Sequence, residues 1–418
     1  MLPPTPIRRL LLVPLVVVIA GALAALTPAV ALLTAAFNLI RRRTHLGREP
    51  RSRLLRVVWL GLVWSAGETA ALTVTFCLWL ASGFGGRLDT EPYQARNYAL
   101  MKWFLDLIYR AAQRACGLSV TVTGPVPANP GEAGAAGDRP LIVLSRHAGP
   151  GDSLLLVHYL LSACERRPRV VMKATLQLDP SVDILANRVP NAFLRRAKAK
   201  RGEAKANPGF RTSAADTHRV DQIRRLAAGM GPRSALALFP EGGNWTPHRW
   251  RRAIVRLRRG GRPDLAGRAA AMPNVLPPHA SGALAAIAAC PRADVIFVAH
   301  TGLDELVSVR DMWRHLRADM TITARWWRVP AEDVPRAAGR EDQITWLYDW
   351  WERIDGWITA EKAGHPAPGA SAREPSAADP LKPDSLKPDP LKPERPEPEP
   401  SRPGPPKQGG ALARPAAP

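Results

Sequence analysis

Two apolar stretches near the amino terminus restrict this chain more than any other feature. Residues 10–40 are apolar almost without interruption, broken only by Pro14, Pro28 and a few small polar residues. About 20 apolar residues in a helix suffice to cross a bilayer, and this run is longer. A second run covers residues 54–82, with Glu68 near its middle. Residues 41–53, between them, carry six arginines. A secretory leader is the rival reading: Arg8 and Arg9, an apolar core, then small residues around positions 29–31. The length of the first run and the second run behind it favour retained membrane segments. Charge places the arginine loop on the cytoplasmic side. Glu68 is expensive in lipid, which suits a shallow or re-entrant second segment and leaves the topology open.

The net charge of +22 over 418 residues calls for an anionic partner. Nucleic acid and a phospholipid surface are the two candidates. The arginines accompany apolar segments and no nucleic-acid recognition motif is present, so the membrane is expected and nucleic acid is not. The four cysteines, Cys77, Cys116, Cys164 and Cys290, have neither CxxC nor metal-ligand spacing. Reduced thiols in a cytoplasm-facing protein are therefore expected, with no metal site.

The expected organisation has three parts: membrane segments over residues 1–92, an α/β domain over 93–363 and a tail over 364–418. The tail holds 16 of the 42 prolines, includes the repeats LKPDS, LKPDP and LKPER, and nearly balances its charges at eight basic against seven acidic residues. Such a composition cannot bury a core and reads as disordered. In the middle part, short apolar runs at 141–144, 169–172, 234–239, 294–299 and 320–326 read as strands. They alternate with helical stretches at 153–163, 216–228, 282–289 and 341–360. Residues 93–116 read as an amphipathic helix entering the domain. The order predicts an α/β fold with a mixed, mostly parallel sheet flanked by helices. The 341–360 helix carries Trp346, Trp350, Ile354, Trp357 and Ile358 on one face, more suited to the sheet than to a membrane.

Chemistry concentrates at two strand ends. The stretch LIVLSRHAGPGDSLLL joins a buried strand to a helix that Asp152 or Ser153 would cap, with His147 and Asp152 on the turn. A histidine and an aspartate at that spacing are, taken alone, more often a surface residue and a helix cap. A second cluster, SALALFPEGGNWT, ends another apolar strand with Glu241, Gly242 and Gly243. Glycines allow close backbone approach by a hydroxyl or phosphate. Two such clusters at strand ends of one α/β domain suggest a shared site.

Together these residues resemble the glycerolipid acyltransferases, the family that includes 1-acylglycerol-3-phosphate acyltransferases. His147 and Asp152 match its H-x4-D motif, and Phe239, Pro240, Glu241 and Gly242 match the start of F-P-E-G-T-R. Lys173 fits the lysine that follows a strand between them; Phe193, Leu194 and Arg196 fit the G-x-x-F-I-x-R block loosely. The apolar strand VIFVAHTGL takes the place of the fourth motif, and residues 274–287 resemble a segment of the family's long-chain branch. The resemblance covers roughly residues 141–303, and its specificity comes from order and spacing.

The resemblance implies acyl transfer from acyl-CoA or acyl-ACP to a lipid hydroxyl, with the thioester as co-substrate and no bound cofactor. His147 would act as general base, Asp152 would hold its tautomer, and backbone donors near the 149–151 turn would face the oxyanion. Glu241, Gly242 and Gly243 would position the acceptor, with Lys173, Arg195 and Arg196 for its phosphate. Asn244 stands where the family carries an arginine thought to grip that phosphate. The basic helix over residues 248–262 offers other cations, either as a solvated face or as a contact to anionic lipid. Lysophosphatidic acid or a related lysophospholipid is the expected acceptor, in phospholipid synthesis at the cell membrane, with the domain facing the cytoplasm. Glycerol 3-phosphate, a glycolipid headgroup, or a non-catalytic lipid-binding role are the alternatives.

Overall fold

The computed structural model describes residues 3–43, 53–124, 127, 130, 138–194, 214–304 and 320–364. Arg195, Arg196, residues 44–52 of the arginine loop and residues 365–418 of the proline-rich tail lie outside the described residues.

Helices α1 (Thr5–Arg43) and α2 (Arg53–Ala81) form the apolar region. Within them residues 5–30 and 56–81 are long and apolar enough to cross a membrane. Leu10, Leu11, Leu15, Val18 and Leu26 of α1 face outward, as do Trp59 and Phe76 of α2. That surface suits lipid better than water. The second segment, expected as a candidate re-entrant element, is one unbroken helix of 29 residues. Its Glu68 is buried, which removes the carboxylate from lipid.

The pair of apolar helices is fastened to the α/β domain. Helix α3 (Glu91–Cys116) ends at Gly117, whose φ of 58° is the left-handed conformation of a helix stop. Leu100, Phe104 and Leu105 of α3 pack with Ala71 of α2 and with Leu161 and Leu185 of the domain. Arg8 and Arg9 in the first turn of α1 both bind Asp183, at 2.5 and 2.7 Å. Asp183 is fully buried on α5 (Pro180–Ala186). The start of α1 and the end of α2 thus meet the same region of the domain, because Arg188, just after α5, donates to the Thr75 carbonyl of α2 at 2.8 Å.

Seven strands follow in the spatial order β1-β7-β6-β2-β5-β3-β4. They are β1 (Ser119–Thr123), β2 (Leu141–Ser145), β3 (Arg167–Lys173), β4 (Ala192–Leu194), β5 (Ser234–Leu238), β6 (Asp294–Thr301) and β7 (Thr321–Val329). Among the described residues the β6–β7 pairing alone is antiparallel; the other pairings are parallel. The expected α/β fold with a mixed, mostly parallel sheet is the one observed. β2 and β5 are buried at every position, as continuous apolar runs in a sheet covered on both faces should be.

Helix α4 (Pro150–Ser162) covers one face, where Leu156 and Leu160 pack on Leu141, Val143 and Ile296. On the other face lie α6 (Ala214–Ala228), α9 (Ala280–Ala289) and α10 (Arg340–Gly364). Phe297 stacks on Trp350 with centroids 4.5 Å apart, and Trp351, Ile354 and Ile358 are fully buried, so the tryptophan-rich helix serves the core. Helix α7 (Pro247–Arg259) turns its apolar stripe, Trp250, Ile254 and Leu257, onto α8 (Pro263–Ala270). Sequence reading did not identify β1, the three-residue β4, α5 or α8 as elements.

Candidate active site

The strands β2, β5, β3 and β4 run parallel as neighbours, so their carboxyl ends line one edge of the sheet. His147 follows β2, Glu241 follows β5, and Lys173 ends β3. Adjacent strands lie about 4.8 Å apart, which sets Lys173 two strands, or roughly 10 Å, from β2 along that edge. Lys173 is exposed there.

The turn after β2 is built by Asp152. Helix α4 begins at Pro150 with Gly149 as its N-cap, so Asp152 lies in the first turn and is not the cap. Its Oδ2 accepts the backbone amides of Ala148 at 2.6 Å and Gly149 at 3.0 Å. Those two bonds fold the Ala148–Gly149 segment back over the carboxylate. His147 Nδ1 then lies 3.0 Å from Oδ1 and 3.1 Å from Oδ2. Burial opposes the Asp152 charge, but hydrogen bonds from His147 and His300 overcome it and hold the carboxyl well below its usual range. An ionised acceptor facing Nδ1 requires that nitrogen to carry the proton. Nε2 is the basic nitrogen, and it has no partner among the described residues. The ring of Phe239 packs against the imidazole, centroids 4.6 Å apart.

The 149–151 turn has little left for an oxyanion. Asp152 consumes the Gly149 amide and Pro150 has none; Gly151, at the amino end of α4, keeps its amide as a donor.

Glu241 faces inward. Its Oε1 accepts the His147 amide and its Oε2 accepts the Leu276 amide, each at 3.2 Å. Burial pushes its carboxyl up to about 8, against the pull of Arg146 and the two amides. The side chain thereby ties the loop that carries His147 to the segment before α9. Gly242 supplies a φ of 67°, and an added Cβ would meet His279 at 3.2 Å. Gly243 lies under the guanidinium of Arg249, where a Cβ would be 3.0 Å from Nη1. That Nη1 also donates to the Asn244 carbonyl at 3.0 Å. A cation from the first turn of α7 therefore stands over the Gly243–Asn244 backbone.

Three functional candidates were not singled out in sequence, the third being named only as part of the basic helix over residues 248–262. Arg146, fully buried, donates to the carbonyls of Asn274 and His300 and pairs with Asp304. His300 lies 3.5 Å from Asp152 Oδ2. Arg249 is the third. Arg146 and Arg249 are single arginines in an arginine-rich chain, and only the fold distinguishes them; a histidine ending an otherwise apolar strand was the available signal for His300.

A buried carboxylate orients a histidine at the carboxyl edge of parallel strands, and the outer ring nitrogen has no partner among the described residues; such an arrangement can take a proton from a hydroxyl or water. Residues 119–301 match the family described as Acyltransferase. That span, from β1 to the end of β6, is similar to an acyltransferase-family domain, which supports a general role in acyl transfer. No curated protein matches the chain in sequence.

Proposed function

We propose that this domain transfers a fatty acyl chain from a thioester donor, acyl-CoA or acyl-ACP, to the hydroxyl of lysophosphatidic acid or a related lysophospholipid. The observation that carries the reading is the pairing of His147 Nδ1 with both Asp152 oxygens, which leaves Nε2 as a base with no partner among the described residues. The acceptor oxygen would itself attack. Nε2 takes the hydroxyl proton as the oxygen bonds to the thioester carbonyl carbon. The tetrahedral oxyanion collapses, the carbon–sulfur bond breaks, and the imidazolium returns its proton to the leaving thiolate. Asp152 stabilises the imidazolium between these steps.

For the acceptor phosphate, Arg249 over Gly243 joins Lys173, Arg195 and Arg196 as a candidate, with the charge and fork geometry a phosphate prefers. Two apolar helices fastened to the domain support catalysis at a membrane surface, and a cytoplasmic face would meet the thioester donors.

The test is a panel of acceptors, lysophosphatidic acid, other lysophospholipids, glycerol 3-phosphate and glycolipid, offered with labelled acyl-CoA or acyl-ACP to membranes carrying the protein. Transfer to a lysophospholipid that is lost in a folded His147→Ala variant is expected. Absence of transfer to every acceptor from protein shown to be folded would overturn the proposal.

A further inference from the structure

The aspartate of the site has a second histidine. His300 is the next-to-last residue of β6, paired with Ala324 of β7, and its side chain is buried. Its Nε2 lies 3.3 Å from the Arg146 carbonyl and 3.5 Å from Asp152 Oδ2. Both neighbours only accept, so Nε2 carries the proton and shares it between them. Nδ1 is buried with no partner among the described residues, an orphan position for a ring that served only to fill space. Arg146 returns the contact through Nη1 to the His300 carbonyl, at 2.7 Å.

We infer that His300 is a positioning residue for acyl transfer: its Nε2–H holds the Asp152 carboxylate in the plane that His147 Nδ1 requires. Asp152 would otherwise be held on that side by the Ala148 and Gly149 amides of its own turn. His300 refers the carboxylate to the sheet instead, because β6 pairs with β2 directly beneath the site. The charged groups around His300 are Asp152 on α4, Arg146 at the end of β2 and Asp304 beyond β6. Glu241 reaches the same loop from β5. The inference rests on the proposed base role of His147.

Replacing His300 with glutamine keeps an N–H near the Nε2 position, whereas leucine keeps the bulk alone. The full chain in nanodiscs should show His300→Gln within about threefold of the native kcat, and His300→Leu lower by tenfold or more at unchanged KM. A carboxylate free to turn stabilises the His147 imidazolium less, so the acidic limb of the rate profile in His300→Leu should move to lower pH. A ring that only fills space predicts equal losses in both variants and an unmoved limb, and that outcome overturns the inference. The Nδ1 proton resonance and titration of His147, followed by NMR with ¹⁵N-labelled histidine, need no turnover. If the native protein transfers no acyl chain, the functional reading fails while this measurement still decides whether His300 governs His147: an unchanged His147 signal in His300→Leu would refute the positioning role.

Discussion

The carboxylate of Glu241 accepts the backbone amide of His147 at 3.2 Å and that of Leu276 at the same distance. It is buried, and it fixes the loop that presents the imidazole. Glu241→Gln puts a second donor against one of the two amides. Leaving that amide unsatisfied should cost about 1–3 kcal/mol of stability, read as a lower thermal midpoint with reduced kcat. The group also titrates with folding. Burial raises it from 4.5 to about 8, so the folded protein keeps a proton that the unfolded chain releases between those values. Its contribution to stability should therefore fall as pH rises from 4.5 to about 8 and level off above. Midpoints of the native protein minus those of Glu241→Gln, measured at pH 5, 7 and 8.5, check the slope; a flat difference would count against it.

Asp152 should show the opposite sign. Its pKa is depressed from 3.8, so its contribution is complete above that value and is lost as pH falls below it. Asparagine at 152 can keep its oxygen on the Ala148 and Gly149 amides only by turning its NH2 toward His147 Nδ1. Nδ1 would then have to accept, which moves the proton to Nε2 and removes the base. A fall in kcat on the order of 10⁴-fold is expected, the size associated with the wrong histidine tautomer. Activity within tenfold of native, in folded protein, would remove Asp152 from the mechanism.

The parts of this fold that were legible in sequence are those whose signal is local. Short uninterrupted apolar runs of four or five residues read as covered strands, and β2, β5 and β6 are such strands. β4 has three residues, too few for a period, and β1 alternates on an exposed edge with no buried face to mark it. The His147–Asp152 pair was visible because five residues and a glycine turn enforce its proximity. The inward course of Glu241 was not, since its partner Leu276 is 35 positions away and reaches it only through the packing of the segment before α9. His300 and Arg249 escaped for the same reason.

Helix α7 gives a prediction about the membrane. Its apolar stripe is spent on α8, and Arg251, Arg252, Arg256 and Arg259 line a shallow groove on its outer side. None of the four has a carboxylate partner among the described residues. Arginines near an anionic bilayer contribute about 1 kcal/mol each. Changing all four to glutamine should leave transfer in neutral phosphatidylcholine nanodiscs unaltered while abolishing any gain from added phosphatidylglycerol and its suppression by salt. The same lipid and salt response in the variant would assign these arginines to a solvated face.

Arg249 differs from those four in standing over the site, 3.0 Å from the Asn244 carbonyl. Its position places a guanidinium on the Gly243–Asn244 backbone, beside the amino end of α7, where peptide dipoles also favour an anion. If it receives the acceptor phosphate, Arg249→Gln removes a charged hydrogen bond worth about 1.5–3 kcal/mol. That converts to a rise of roughly 10–100-fold in KM for lysophosphatidic acid with kcat little changed, because the phosphate lies away from the reacting hydroxyl. Lysine at 249 should recover part of the loss through charge alone. Monoacylglycerol, which has no phosphate, should be used equally by native and variant protein. An unchanged KM for lysophosphatidic acid would return the phosphate to Lys173 on β3, where Lys173→Gln becomes the variant that must show the effect.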